Sequence, residues 1–324
     1  MRKRITASSI AEALAMRAAE PSAEYVAGGT DVVSRWEQGD DPPRTLVDIS
    51  GIPSLRVLRQ EEGRVWLGAG CSLVEVATSP VVAGPFPALV DCLRQVATLQ
   101  VRQAATVGGD LCQKPKCPYF RQGDPRCRHR GGTECLAQAG DHTTHGIFGN
   151  DLCAAAHPSS LGVALVALGG SVLLHQPGMP TAQQLTAEEL FTPPGGQVGR
   201  ENALPAGALL EAALVPLPAP GVRQAYGRRA TPEDPGRTDV EVFAVARVEG
   251  GTFREARVVL GGVARTPWRS LPAESALVGH PAHADTVRES AWAATEGASP
   301  LNFNRYKLSL VHQAVQSTLQ ALLS

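Results

Sequence analysis

Apolar positions in the first fifty residues recur in short blocks that predict helix, strand, glycine turn, helix and strand. Ser9 followed by Glu12 has capping-box spacing, so an amphipathic helix is expected to open there. Tyr25-Val26-Ala27 reads as a strand running into Gly28-Gly29-Thr30-Asp31, and Thr45 to Ile49 as a buried strand. Arg64 to Gly70 predicts a further strand and turn, and Ser72 with Glu75 a second capping box before Pro80. Phe86, Leu89, Val90, Leu93 and Val96 follow helical spacing and predict one buried face.

That order lapses between Cys112 and Cys153, where Pro, Gly, Arg, His and Cys replace the aliphatic residues. A loop this long inside a compact domain needs something besides a hydrophobic core to order it. Apolar character returns from Leu161 to Leu174. Val215-Pro216-Leu217-Pro218-Ala219-Pro220-Gly221 has the composition of a linker. Beyond it, Val240 to Val248 and Ala256 to Leu260 predict strands, and Leu308, Val311, Val315, Leu319 and Leu322 stripe a last helix. Strands grouped before helices point to an α+β second domain.

With 324 residues, 43% of them hydrophobic, the chain is long enough for more than one buried core. A formal net charge of −1 gives no basic field for nucleic acid and no acidic excess for disorder. No apolar run reaches membrane-spanning length. The basic first residues are followed by a stretch broken by Glu12 and Arg17, which reads as a helix and not as an export signal. The expected location is therefore the cytoplasm, or the periplasm if a folded partner carries the chain across. Seven cysteines, five of them between Cys112 and Cys153, argue against a disulfide framework. Cys71 and Cys92 read as core residues. Asp239 and Lys307 read as exposed, and His129, His142, His145 and His157 as surface or hydrogen-bonding residues.

Gly28-Gly29-Thr30-Asp31 has the ingredients of a diphosphate cradle, since glycine lets a ligand approach the backbone N–H groups closely. Gly108-Gly109, after Ala105-Thr106-Val107, is a second such turn, and the two could embrace one dinucleotide. The three spaced glycines of a Rossmann motif are absent here, as is a Walker lysine. No nucleophile–base pair stands out, so no catalytic residue is assigned.

Ala27 to Asp31, Gln100-Val101-Arg102 and Ala105 to Gly109 together resemble the FAD-binding subunits of the xanthine dehydrogenase group of molybdenum hydroxylases. The likeness continues through Leu209 to Pro216, Val258 to Ala264 with Pro267, Glu274 to Gly279, and Tyr306-Lys307-Leu308. It implies an α+β fold: a two-part FAD-binding domain of the vanillyl-alcohol-oxidase type over 1–217, then an antiparallel sheet with helices over 222–324. It further implies that Ala27, Gly28, Gly29, Thr30, Asp31, Val32, Thr106, Gly108, Gly109 and Asp110 hold FAD, with Ser160 and Arg228 as further contacts. The chain departs from the family's usual Asn at Asp110, from its Ser-Asp pair at Ser159-Ser160, and from a lysine near Gly227-Arg228.

The cysteine-rich insertion, 112–157, resembles that of the flavin subunits of 4-hydroxybenzoyl-CoA reductase and periplasmic aldehyde oxidoreductase. There four cysteines bind a 4Fe–4S cluster, and Cys117, Cys127, Cys135 and Cys153 match those positions. From the residues alone, four thiolates suit either such a cluster or zinc. Cys112 reads as a small buried residue after the flavin turn.

The resemblance implies a heterotrimer in which a molybdenum-cofactor subunit oxidises an aldehyde and a 2Fe–2S subunit relays electrons. The FAD of this chain would exchange them with an external acceptor. The alternatives are a stand-alone FAD-dependent oxidoreductase and a zinc-stapled scaffold without flavin.

Overall fold

The structure is a computed structural model that describes residues 3–41, 43–192, 197–231 and 237–323. Met1 and Ser324, the ends of the two expected domains, lie outside the described residues. The chain opens with β1 (Lys3–Thr6), α1 (Ile10–Ala19), β2 (Glu24–Val26), α2 (Thr30–Glu37) and β3 (Thr45–Asp48), and the strands form a parallel sheet in the order β1-β3-β2. The alternation predicts everything here except β1, a four-residue edge strand too short and too exposed to leave a pattern. Ser9 caps α1 through the Glu12 N–H, but the Glu12 carboxylate turns back to the Ser8 N–H (2.7 Å) and not to Ser9, so the first capping box is only half closed.

Next come β4 (Leu58–Glu61), β5 (Arg64–Gly68) and five helices: α3 (Leu73–Thr78), α4 (Pro80–Ala83), α5 (Pro87–Gln95), α6 (Leu99–Ala104) and α7 (Val107–Leu111). The Ser72–Glu75 box on α3 is complete. Two single-turn helices, α8 (Pro118–Arg121) and α9 (Leu136–Ala139), punctuate the cysteine-rich stretch. There follow α10 (Ser160–Ala167), β6 (Ser171–His175), β7 (Gln183–Thr186), α11 (Ala187–Leu190) and β8 (Leu209–Pro216). Here β4-β5-β8-β6-β7 build an antiparallel sheet with β8 at its centre, pairing Leu67 with Ala213 and Val172 with Ala213. Val215 and Pro216, which read as linker, are thus the end of a central strand.

The last part holds β9 (Val222–Arg229), β10 (Val240–Glu249), β11 (Thr252–Gly261) and β12 (Trp268–Arg269), an antiparallel sheet in the order β12-β11-β10-β9. It is followed by α12 (Leu271–Leu277), α13 (Ala284–Ala293) and α14 (Tyr306–Gln320), with Val311, Val315 and Leu319 facing its core. Every residue of α10 is buried, as a helix that is apolar all round must be. It packs on β10 and β11 as well as on α5 and α7, which joins the two regions. Among the described residues, no helix is long and apolar enough to cross a membrane.

Exposure fails as the default for several polar residues. Lys307 is fully buried, its ammonium donating to the carbonyls of Gly262 (2.7 Å) and Thr144 (3.1 Å), and Asp239 lies beneath Tyr306. His129, His142, His145 and His157 are buried too, because the insertion folds over them. His142, for example, stacks on Phe303 and accepts its N–H (2.9 Å).

Burial pulls the Lys307 ammonium down to about 8 from an ordinary value near 10.5. Between those values the unfolded lysine is still charged while the folded one is neutral, so the unfolded chain holds the extra proton and stability rises with pH. Measured against a Lys307→Met variant, urea stability of the wild type is expected to gain on the order of 2 kcal/mol from pH 7.5 to 9.5. A constant difference across that range would refute the assignment.

Candidate functional site

The first part of the site is built where β2 runs into Gly28-Gly29. Gly29 sits at φ +72°, a left-handed conformation that costs glycine nothing, and it begins α2 without a side-chain cap. The first-turn N–H groups therefore lack intrahelical acceptors and present the positive end of the helix. Gly28 is pressed against the end of α6: a Cβ there would stand 1.7 Å from the Ala104 carbonyl oxygen. The second glycine turn works differently from the first. Thr106 caps α7 by accepting the Gly109 N–H (3.1 Å), while Val107 and Gly108 donate to the carbonyls of Cys71 and Ala69. Those N–H groups are already engaged, so this turn offers a flat wall and not a cradle of donors.

Ala27, Gly28, Gly29, Thr30, Asp31, Val32, Thr106, Gly108 and Gly109 line one cleft of about 370 Å³. Ala69, Gln113, Lys114, Leu204 and Leu209 also line it, and the sequence singled out none of them for the site. Ala69 had a readable signal, the Gly68-Ala69-Gly70 turn ending β5, whereas Leu204 and Leu209 come from more than ninety residues further on. An uncapped helix start beside a glycine wall fits a diphosphate, and the apolar far side suits an aromatic ring system.

Asp110, Ser160 and Arg228 lie outside this cleft. The Asp110 carboxylate is buried beneath α7, where it accepts from the Ser159 hydroxyl and from Gln113 Nε2 (3.0 Å). Burial pushes this carboxyl up despite those bonds. Ser160 borders a smaller chamber with His157 and Glu241, and Glu241 accepts from the Tyr226 hydroxyl (2.7 Å). Arg228, on β9, donates to Thr238 Oγ1 (2.9 Å).

The second part is the insertion. Cys117, Cys127, Cys135 and Cys153 all line one small cavity, walled also by Phe120, His129 and Ala155. The neighbouring Cys153 holds the Cys135 thiol below its ordinary value and is itself pushed up by Cys135. Cys135 also accepts the Ala154 N–H (3.4 Å), and His145 Nε2 lies 3.3 Å from the Cys117 sulfur. Among the described residues, no three Cys, His or acidic side chains converge into a single-ion coordination set. Cys112 stands apart, half-buried on the wall of the larger cleft, while Cys71 and Cys92 are core residues.

An ionic network joins the two parts. Asp31 accepts from the backbone N–H of Lys114 (3.2 Å), from Arg121 (2.7 Å) and from Arg35 (3.3 Å). The buried Arg35 also binds Glu24 (2.7 Å) and Asp40, and Asp40 takes Arg130 (2.9 Å) as well. Burial raises the Asp40 carboxyl, but Arg130 and Arg35 outweigh it and hold it below the usual carboxylate range.

Comparison with known proteins agrees with this geometry. Residues 2–218 match the family model "FAD binding domain in molybdopterin dehydrogenase", and residues 239–322 match "CO dehydrogenase flavoprotein C-terminal domain". The chain is 30% identical over 302 residues to the aldehyde oxidoreductase FAD-binding subunit PaoB of Escherichia coli (strain K12), covering 92% of this chain and 91% of that one. It is 34% identical over 104 residues to the carbon monoxide dehydrogenase medium chain of Hydrogenophaga pseudoflava, 32% of this chain and 36% of that one. The fold matches carbon monoxide dehydrogenase from Hydrogenophaga pseudoflava with TM-score 0.77 at 24% identity, over 99% of this chain and 96% of that one. Quinoline 2-oxidoreductase from Pseudomonas putida 86 gives 0.76 at 22% identity, over 100% and 96%. The first family model covers more than half of the chain and the PaoB match nearly all of it, so the protein belongs to the FAD-binding subunits of the molybdenum hydroxylase family and is an oxidoreductase subunit.

Proposed function

We propose that this chain passes electrons between a 2Fe–2S partner subunit and an external acceptor, in an assembly whose molybdenum subunit oxidises an aldehyde. We further assign a 4Fe–4S cluster to Cys117, Cys127, Cys135 and Cys153. The similarity to PaoB over 92% of the chain supports the aldehyde assignment. The observation that supports the cluster is that all four cysteines line one small cavity, a donor set of the kind that holds an iron–sulfur group. N–H donors at those sulfurs would help set its potential.

In this reading Ala27 to Val32, with Thr106, Gly108 and Gly109, would hold FAD, the N–H groups that open α2 being suited to its diphosphate. Asp110, Ser160 and Arg228 support the surrounding walls. FAD supplies a carrier able to take electrons singly and release them singly or in pairs. The protein's own residues bind it, orient it and shield it. The chain then divides into an FAD-binding unit, 1–217, carrying the insertion 112–157, and a C-terminal unit, 222–324.

Protein purified without oxygen is expected to show flavin bands, one FAD and about four irons per chain. Flavin without iron would remove the cluster and leave the FAD role standing. Zinc in place of iron would make the cysteine cavity a structural site.

A further inference from the structure

The cysteine insertion and the flavin turn are fastened to the same helix. Arg121 is the last residue of α8, whose N-cap is Cys117, and the Arg121 N–H donates to the Cys117 carbonyl (3.1 Å). Its guanidinium, buried at 3% exposure, reaches Asp31 in the first turn of α2, Ser34 one turn later, and the carbonyls of Pro115 and Lys114. Arg130, three residues beyond Cys127, binds Asp40 just past the other end of α2 and also holds the Phe120 carbonyl (3.2 Å). Arg35, in the last turn of α2, ties Asp31 to Asp40. Two arginines that flank two of the four cysteines are thus anchored at the two ends of the helix whose start faces the flavin cleft.

We propose that α2, through Asp31 and Arg121, couples the two cofactor sites, so that filling the cysteine cavity tightens FAD binding and bound FAD strengthens retention of the cluster. This rests on the cluster assignment above. With nothing bonded to Cys117, α8 has one helical turn of internal hydrogen bonding and depends for its orientation on buried Phe120 and on the contacts of Arg121. Arg121 then holds Asp31 less firmly, and the first turn of α2 depends on the Lys114 N–H and Arg35 for its remaining contacts at that carboxylate. A cluster bonded to Cys117 fixes α8, hence Arg121, hence Asp31 and the first turn of α2. The linkage must be reciprocal, because both ligands bias one equilibrium. Arg121 is a positioning residue here: it touches neither cofactor.

The test compares the FAD dissociation constant of iron-loaded and iron-free full-length chain, read from quenching of flavin fluorescence under anaerobic conditions. For the wild type, loading is expected to tighten FAD about tenfold, a coupling of about 1.4 kcal/mol. Arg121→Ala should bring the ratio close to one. Arg121→Lys keeps the charge on Asp31 but not the fork to Pro115 and Lys114, so it should retain about a threefold ratio. Since the ratio is taken within each variant, a general loss of stability does not move it. If the alanine variant fails to fold, the lysine variant decides. Saturating FAD should slow iron loss to a chelator in the wild type and not in Arg121→Ala. A tenfold ratio that survives Arg121→Ala overturns the coupling, as does a wild-type ratio of one in iron-loaded protein; both leave the cluster assignment intact. A chain that takes up no iron even on reconstitution overturns the two together.

Discussion

Gly28→Ala is expected to yield protein with almost no bound FAD and a melting temperature lower by roughly 2–5 °C. The added methyl would lie 1.7 Å from the Ala104 oxygen and 2.6 Å from its carbonyl carbon, and both are backbone atoms with no side-chain torsion to relieve them. Either the β2–α2 turn or the α6–α7 connection has to move, and overpacking of this kind costs about 1–3 kcal/mol or more. Movement also separates the walls of the cleft, so flavin loss should exceed what the stability change alone produces. Gly51→Ala is the control, because a Cβ there meets nothing within 4 Å. The flavin-to-protein absorbance ratio and a thermal melt of both variants check the prediction. A Gly28→Ala protein that keeps a full complement of FAD would show that the close contact is not essential to the site.

Arg35→Ala should destabilise the protein by about 3–5 kcal/mol, the usual cost of removing one partner from a buried charge group. Arg35 is 5% exposed and binds Glu24, Asp31 and Asp40, so its loss leaves Asp31 to Arg121 and the Lys114 N–H, leaves Asp40 to Arg130, and strips Glu24 of its ion pair with Arg35. Lysine cannot substitute, since one ammonium cannot serve three acids lying in different directions. The pH dependence has a definite sign. The Asp40 carboxyl is held low, so its pairing stabilises the wild type above the ordinary carboxylate pKa and fades as pH falls below it. The gap between wild type and Arg35→Ala should therefore narrow from pH 6 toward pH 3.5. Urea titrations of both proteins across that range check it, and a gap that stays constant into acid would mean that Arg35 acts through packing and not through charge.

Periodicity made most of the frame legible, and for a physical reason: α5 and α14 each bury one face, and burial imposes spacing, while β10 is buried on both faces and reads as a near-continuous apolar run. The glycine turns were legible as chemistry because few other residues permit such close approach. The inner working of the second turn was not, since nothing in Thr106 to Gly109 reveals that its N–H groups are taken by Cys71 and Ala69. The departures at Asp110 and Ser160 could be seen one by one. That the Asp110 carboxylate sits under Ser159, away from the cleft, is a three-dimensional fact. Lys307 and Asp239 show the same limit, because a charged residue reads as exposed until its partners, here two carbonyls and a tyrosine, are known. The network on α2 escaped the sequence reading altogether, since its members run from Glu24 to Arg130 and charge pairs leave no periodic trace.

The central place of β8 bears on how the chain is made. β5 leaves the ribosome early, but its partner strand, Leu209–Pro216, follows the whole cysteine insertion. Cys153 emerges about sixty residues before Pro216, which at ordinary elongation rates is roughly 3–12 s. During that interval all four thiols are out while the five-stranded sheet is still missing its middle. Maturation machinery acting on the nascent chain would meet the cysteines before that sheet can close.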